Sequence, residues 1–504
     1  MRGALWTGIH TAISLPLAFA VNILLARVLG VADYGRLAYL TTVITIAGVI
    51  AGLGVTTALI QFGAKAHAKG DQAQVRRLLS GAQGFRLMVS GPLVALAVLA
   101  LVRVDSWLLA VALVFGVGAP ALLGSARPAL TIENRTDRSA QITMIGNLVL
   151  QAAVVLTVLT LGTADAVWSA RVIASGLLLA LPLIAISSAY RMAVLSPTVP
   201  WRLPRRFWSF AVPAGLAGII GTLVTDRTEI VFLDWFADER AMGLFGLAFG
   251  LAGHVYAPAQ AFIGPLVPAV SALAEVDVSS LRRAFLRTTR VGAAVGGLMV
   301  ASFLPALAVL LPLIYGRDFA PAGDLLVIIG VGSAVMLVGA PHQAFLMARL
   351  QGRLLLWINV VSLVVSLTLA LVLIPELGAL GAAIACCATF IVRTLQLTAG
   401  EVRASNTPLG AVIRSAGSLV WAILVAVALW MVARSVDIDL VLLGLTLVVT
   451  GTLLYFAGLK GLGLGLDSGD VEAIRRALPG RLQNAARLAL TPLRGVKTDG
   501  VRRE

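Results

Sequence analysis

The chain has 504 residues, of which 59% are hydrophobic and only 12% are charged, and its mean hydropathy is +0.95. A water-soluble globule of this composition would leave apolar surface that only a lipid bilayer could cover. The formal net charge of +15 would suit a nucleic-acid-binding protein, but the basic residues are spread over many loops and a C-terminal tail. A membrane protein with basic loops explains this charge better, and we predict no nucleic-acid partner.

Long apolar stretches follow one another along nearly the whole chain. Most hold 20 residues or more, enough for a helix to cross a hydrocarbon core about 30 Å thick, and they are far too long for outer-membrane barrel strands. The sequence therefore predicts an all-α polytopic membrane protein with about fourteen transmembrane helices. The predicted spans lie near 4–29, 35–62, 79–101, 107–130, 140–161, 167–189, 208–233, 241–270, 289–315, 322–348, 354–375, 378–399, 413–433 and 439–459.

Lysine and arginine are distributed unequally between the two sets of alternating loops. One set holds twenty of them, whereas the opposite set holds six, at Arg27, Arg36, Arg103, Arg240, Arg317 and Arg434. The positive-inside rule places the richer set in the cytoplasm. We therefore predict a multi-pass protein of a bacterial inner membrane with both termini in the cytoplasm.

A proline- and arginine-rich connection at 190–207 divides the predicted spans. Six spans precede it, and the next six form a second half that is followed by two further spans. The two six-span halves are predicted to share one orientation, as in transporters built from parallel repeats. The tail stretch VEAIRRALPGRLQNAARLAL is either a solvated end or a helix lying on anionic lipid. The predicted domains are an N-terminal lobe at 1–189, a cytoplasmic linker at 190–207, a C-terminal lobe at 208–400, two additional helices at 401–460 and a basic cytoplasmic tail at 461–504.

A short acidic turn precedes a glycine at two corresponding places in the halves. VADYGRLAYL leads into span two with Gly35, and ADERAMGLFGLAF leads into span eight with Gly243. Each glycine is predicted to permit a tight return of the chain and a close approach of helices. Tyr34 and Tyr39 are predicted to anchor near the outer headgroups.

Several of these stretches also resemble a known family. LLARVLGVADYGRLAYL followed by GLGVTTALIQFGA, then YGRDFAPAGDLLVIIG, then LIPELGALGAAIA, resemble polysaccharide-type flippases of the multidrug/oligosaccharidyl-lipid/polysaccharide (MOP) exporter superfamily. The resemblance covers spans one to twelve and implies two parallel six-helix lobes in a V around a central cavity. It also implies that the chain moves a polyprenyl diphosphate-linked oligosaccharide from the inner to the outer leaflet by alternating access, in cell-envelope polysaccharide biosynthesis.

Arg86 and Arg393 are among the arginines that lie inside predicted spans, where a charge costs about 2.5–3.5 kcal/mol on insertion scales and usually faces water or a partner. Arg86 in span three follows Gln83 by three residues, and Arg393 in span twelve precedes Gln396 by three, so each pair shares a helix face. Because a guanidinium binds phosphate oxygens in a bidentate manner, both arginines are candidates to hold a lipid diphosphate. The alternative is that they extend to the inner headgroups.

Smaller polar side chains occupy other spans and complete the predicted cavity. For these the alternative is hydrogen bonding between helices, and for Arg27 it is an ion pair with Asp33 or contact with headgroups. The predicted substrate-binding residues are Arg86, Arg393, Arg27, Asn22, Gln83, Asn147, Gln151 and Gln396.

Span seven contains the acidic stretch TDRTEIVFLD, which places Asp226 and Glu229 on one helical face beside Arg227. The two interpretations are an internal ion pair and a site that couples transport to a proton or sodium ion. His254, near the middle of span eight, is either a titrating relay or a hydrogen-bonded helix contact. Asp226, Glu229 and His254 are the predicted ion-coupling residues.

The sequence has no phosphate-binding G-x-x-x-x-G-K-[ST] loop, no nucleophile triad pattern and no metal-ligand cluster. We therefore predict a transporter and not an enzyme, with no cofactor and no bound metal. The predicted partners are a lipid-linked glycan, membrane lipids and a coupling ion. Two alternatives stay open: a cation-coupled multidrug or organic-cation antiporter of the same fold, and a lipid II flippase. Intramembrane arginines favour an anionic substrate over a cation.

Overall fold

The structure is a computed structural model that describes residues 2–102, 104–226, 228–261, 278–349, 351–436, 438–477 and 491–493. Within these ranges the chain is helical throughout, with short connections and no β-strand. Helices satisfy every backbone hydrogen bond within one segment, which is what an apolar chain in lipid requires. The chain divides into two compact units, Met1–Gly243 and Leu244–Glu504.

The first unit is a bundle of helices of very different lengths. Its helices are α1 (Arg2–Gly52), α2 (Val55–Ala68), α3 (Gln72–Phe85), α4 (Gly91–Leu101), α5 (Ser106–Val111), α6 (Ala119–Leu123), α7 (Ala126–Ile132), α8 (Thr136–Thr160), α9 (Ala164–Leu178), α10 (Ala180–Ala185), α11 (Ser188–Leu195), α12 (Arg205–Thr225) and α13 (Glu229–Phe236). Two π-helical stretches, Arg86–Ser90 and Ala112–Gly118, continue α3 into α4 and α5 into α6. The next helix, α14 (Glu239–Ala261), begins in this unit and continues into the second.

The second unit consists mainly of long helices. They are α15 (Val278–Tyr315), α16 (Ala322–Ala348), α17 (Gly352–Leu377), α18 (Ala379–Ser405), α19 (Leu409–Ala433), α20 (Leu440–Gly461) and the short α21 (Ser468–Ala477). Helix α15 packs against α16, α19 and α20, and α18 packs against α16 and α17.

Twelve helical segments within the described ranges are long and apolar enough to cross a membrane. Helix α1 provides one of these segments although it covers the first predicted span and most of the second, with a change of backbone direction at Gly30, where φ is +76°. Helix α14 is described as far as Ala261, whereas predicted span eight continues to residue 270. The all-α polytopic fold is thus confirmed, while the count of fourteen and the division into lobes at 190–207 stay predictions.

Glycines allow the backbone of α1 to touch two other helices of the first unit. A β-carbon at Gly35 would overlap the carbonyl oxygen of Glu239 and the backbone nitrogen of Gly243, the glycine of the second acidic turn. Just beyond the far end of α1, Gly54 meets Gly215 of α12 in the same way. The two glycines singled out by the sequence pattern therefore form one contact with each other.

The polar residues around Gly35 bind protein groups. Arg36 donates two hydrogen bonds to the carboxylate of Asp165, at 2.7 and 3.1 Å, and lies 3.5 Å from a carboxylate oxygen of Glu239. Tyr34 and Tyr39 are only 4% and 7% exposed, and the hydroxyl of Tyr39 donates to the carbonyl of Leu101. The prediction that these tyrosines anchor in the outer headgroups is therefore wrong, since helix packing buries both.

The start of the C-terminal tail binds to α15. Arg287 donates to a carboxylate oxygen of Asp470 at 3.0 Å, and Arg290 donates to the other at 2.9 Å and also to Asp467. These ion pairs fix α21 to the second unit. Most of the predicted amphipathic stretch, residues 478–490, lies outside the described residues.

We predict that Gly35→Ala lowers the stability of the protein because the new methyl group would meet rigid backbone atoms of Glu239 and Gly243. Overpacking of this kind typically costs about 1–3 kcal/mol. The measurement is the thermal unfolding midpoint of the purified protein in detergent. The matched control is Gly221→Ala in α12, where a β-carbon has no heavy atom within 4 Å. Equal midpoints for the two variants would contradict the contact.

Candidate functional site

A cavity of about 500 Å³ lies within the first unit. Its walls come from the second half of α1, the start of α2, both π-helical stretches and the middle of α12. Glycine and other small residues keep the space open. A β-carbon at Gly48, Gly52 or Gly218 would have no heavy atom within 4 Å.

Arg86 gives the cavity wall a positive charge. It is the single ionisable side chain among the described residues that line the space. Its Nη2 atom donates to the hydroxyl of Thr56 at 2.6 Å, whereas its buried Nε atom has no hydrogen-bond partner. The wall therefore presents a guanidinium that still has donor capacity and faces no carboxylate.

The position of Arg86 depends on local helix geometry. Arg86 begins the π-helical stretch Arg86–Ser90, and both of these residues line the cavity. A π-helical turn inserts an extra residue per turn and is frequent at functional sites. The guanidinium also lies over Gly124, where a β-carbon would come within 2.8 Å of Nη1.

Gln83 holds the segment that presents Arg86. Its side chain is 1% exposed, donates to the carbonyl of Ala121 and accepts from the backbone nitrogen of Ser125 at 3.2 Å. Both amide ends are thus used to tie α3 to α6 and α7. Gln83 thus holds the helix one turn before Arg86, the arginine with which it was predicted to line the cavity.

Arg393 lies in the second unit, buried with 6% of its surface exposed. It donates to the amide oxygen of Gln343 at 2.9 Å and to that of Asn359 at 3.4 Å. Gln396, on the same helix, has a buried amide oxygen without a hydrogen-bond partner. Arg393 therefore sits in a polar cluster made by α16, α17 and α18, while Arg86 belongs to the first unit.

The second unit contains further buried polar contacts that the sequence did not predict. His342 is 1% exposed and hydrogen-bonds the hydroxyls of Thr289 and Thr398, at 3.0 and 2.8 Å. Nearby in the sequence, Arg349 pairs with the fully buried Glu401 at 3.2 Å. Glu401 lies just beyond predicted span 378–399, where a charged residue alone does not indicate burial.

The remaining predicted cavity residues make contacts elsewhere in the first unit. Asn22 donates to the hydroxyl of Tyr34, and Asn147 donates to that of Ser14, each at 2.9 Å. Arg27 is exposed on α1, and Gln151 is half-buried on α8. Of all the predicted substrate-binding residues, Arg86 is the one that lines the described cavity.

The predicted ion-coupling residues are separated by a helix break. Helix α12 ends at Thr225, Asp226 is exposed beyond it, and α13 begins at Glu229, so the two carboxylates do not share one helical face as predicted. Glu229 is 3% exposed and its Oε2 atom has no hydrogen-bond partner. His254, in the second unit, bonds the carbonyl of Gly250 at 2.7 Å. Arg227 lies outside the described residues.

Comparison with known proteins supplies the family context. The sequence model of a family described as "Polysaccharide biosynthesis protein" matches residues 24–324. No curated protein matches the chain by sequence.

Solved structures share the fold. The lipid II flippase MurJ in an inward closed conformation is 13% identical, with 90% of this chain and 99% of that chain covered at a TM-score of 0.61. An inward-facing multidrug resistance MATE family transporter of the MOP superfamily is 14% identical, with 81% and 98% covered at 0.63. A MOP superfamily transporter from Pyrococcus furiosus is 15% identical, with 80% and 95% covered at 0.53. These findings confirm the resemblance to the exporter superfamily.

We predict that the charge of Arg86 makes the cavity attract anions. A cysteine at Thr222, a lining residue without charge, should react roughly tenfold faster with an anionic methanethiosulfonate reagent than with a cationic one. Adding Arg86→Gln should remove that preference. The unsubstituted protein measures the background from Cys386 and Cys387. Equal rates for the two reagents at Thr222→Cys would contradict an electropositive cavity.

Proposed function

The chain belongs to the polysaccharide biosynthesis protein family, and from this premise we propose that it is a flippase for a lipid-linked oligosaccharide. The substrate is a glycan joined to a polyprenyl lipid through a diphosphate. The protein moves it from the inner to the outer leaflet of a bacterial cytoplasmic membrane by alternating access. Its role is in cell-envelope polysaccharide assembly, and it performs no covalent chemistry.

The observation that supports this substrate class most directly is the guanidinium of Arg86 in the cavity wall. A lipid diphosphate is an anion that must leave the headgroup layer, and an arginine compensates for the lost hydration through charge-assisted hydrogen bonds. The Nε atom of Arg86 has no hydrogen-bond partner among the described residues, so protein contacts do not use the full donor capacity of the guanidinium. The glycines around it leave room for a headgroup.

A drug or organic-cation antiporter of the same fold is the weaker alternative. A cationic substrate requires carboxylates or aromatic faces in its binding site. The described lining of the cavity contains neither, and its single charge repels cations. Lipid II is itself a polyprenyl diphosphate-linked glycan, so a lipid II flippase falls within the proposed substrate class. The two are separated by identifying the lipid that accumulates when the protein is absent.

We also propose that a proton or sodium ion supplies the energy for transport. Glu229 is buried at the start of α13 with an unpartnered carboxylate oxygen, immediately after the break that follows α12. A carboxylate in this setting is suited to alternate between a protonated or sodium-bound form and a free form. We assign Glu229 as the coupling residue for a proton or sodium ion, with the basic loops and both termini facing the cytoplasm.

We predict that Arg86→Gln in the host strain accumulates lipid-linked glycan on the inner leaflet. The loss of charged hydrogen bonds to the diphosphate should lower the export rate roughly tenfold to a hundredfold. The measurement is extraction and identification of lipid-linked sugars together with surface glycan. Arg205→Gln, an exposed arginine at the start of α12, is the matched control and should export normally. Normal export by Arg86→Gln would remove the proposed role.

A larger side chain placed in the cavity should block transport without unfolding the protein. Gly218→Leu projects into the open space between the helices, so we predict normal insertion and thermal stability with loss of glycan export. Gly221→Leu lies one turn further along α12, outside the lining, and should export normally. Export that survives Gly218→Leu at normal protein levels would show that the substrate does not use this cavity.

A further inference from the structure

A second space in the first unit lies apart from the cavity that contains Arg86. It is an open groove of about 700 Å³ between the start of α3 and the helix α11 with the chain that follows it. Its basic side chains are Arg76 and Arg77, and its hydroxyl groups include Ser80, Ser188 and Thr198. No residue of this groove also lines the first cavity.

The two arginines of the groove differ from a neighbouring arginine in their contacts. Neither guanidinium makes a hydrogen bond or ion pair in the part of the chain that the structure describes, and no carboxylate lines the groove. Arg191, which is on α11 but outside the lining of the groove, differs because its guanidinium donates to the carbonyls of Leu183, Ile184 and Ile186. Fold stability therefore accounts for Arg191 but not for Arg76 and Arg77.

The walls of the groove are fixed before any ligand binds. The backbone nitrogen of Thr198 donates to the carbonyl of Ser80 at 3.0 Å, and the two hydroxyls are 3.3 Å apart. Gly84 lets this connection lie directly on α3, since a β-carbon there would overlap the carbonyl of Thr198. Side chains of α3 and α11 also pack in one buried cluster. A preformed site of this kind binds its ligand with little loss of conformational entropy.

The depth of the groove matches the headgroup layer of a membrane. One membrane-crossing segment begins at Gln72, so Arg76 and Arg77 lie about 6–8 Å from its start at 1.5 Å per residue. Two apolar side chains in this region are exposed: Met192, in the lining of the groove, at 63%, and Trp201, three residues beyond the lining residue Thr198, at 76%. Exposed tryptophan at this level is typical of the membrane interface.

We propose that this groove binds the phosphodiester headgroup of an anionic phospholipid. Arg76 and Arg77 bind the phosphate oxygens, the hydroxyls of Ser80 and Thr198 lie beside them, and Met192 contacts the start of an acyl chain. The ligand is a resident lipid of the leaflet that faces the basic loops and is separate from the transported substrate.

The test is native mass spectrometry of the full chain released from mixed micelles of phosphatidylglycerol and phosphatidylcholine with identical acyl chains. Wild-type protein should retain phosphatidylglycerol in preference to phosphatidylcholine. Each basic side chain near an anionic lipid contributes about fivefold in affinity, so Arg76→Gln with Arg77→Gln should weaken retention about 25-fold. The matched control is Arg205→Gln with Arg206→Gln, which removes the same charge outside the groove and should retain the lipid.

Further measurements make each outcome decisive. The single variants Arg76→Gln and Arg77→Gln, each about fivefold weaker, report on the site if the double variant does not fold. Absence of a preference for phosphatidylglycerol in the wild type would overturn the proposal, as would equal losses in the two double variants. Full displacement by inorganic phosphate would indicate a free-anion site instead. Stronger retention of polyprenyl diphosphate than of phosphatidylglycerol would assign the groove to the substrate. None of these results bears on export through the Arg86 cavity.

Discussion

The proposed transport depends on one guanidinium, that of Arg86, which lies inside a helical bundle otherwise suited to hydrocarbon. Placing the charge of Arg86 at this depth is unfavourable unless the protein provides partners and space. Thr56 accepts one hydrogen bond from Arg86, and Gln83 fixes the segment from which the Arg86 side chain projects. The absence of a side chain at Gly124 leaves room for the guanidinium. The Nε–H donor has no hydrogen-bond partner among the described residues, so the guanidinium keeps donor capacity that suits a group binding an anion in transit.

Close backbone contacts hold the walls of this cavity in place. The pairs Gly35 with Gly243 and Gly54 with Gly215 bring α1 and the start of α2 against α14 and α12 without intervening side chains. Such contacts depend on packing and not on hydrophobicity, because lipid tails are as apolar as the helix surfaces. Next to Gly35 on α1, Arg36 adds an ionic contact because it binds Asp165 and lies close to Glu239. Small residues thus allow tight helix contacts at Gly35 and Gly54, and they also leave the cavity between the helices open.

The sequence predicted those features that follow from composition and periodicity. Apolar run lengths predicted the helical membrane fold. The three-residue spacing of Gln83 and Arg86 predicted that both line one cavity, and of the two only Arg86 belongs to the described lining. The sequence did not predict the π-helical turn at Arg86 or the break between Asp226 and Glu229, since both arise from packing against other helices. Tyr34 was misassigned for a similar reason: its partner Asn22 lies across the bend at Gly30, which local patterns do not reveal. Buried pairs such as Arg349 with Glu401 are also invisible until two helices are adjacent.

The most direct test of the central claim is transbilayer movement in a purified system. The full chain is reconstituted into vesicles with a fluorescent polyprenyl diphosphate-linked oligosaccharide, and the fraction of glycan exposed to an external lectin is followed over time under a proton or sodium gradient. The account predicts that the protein exposes glycan from the inner leaflet and that an organic cation dye neither moves nor competes. Transport of the dye without movement of the glycan would contradict it.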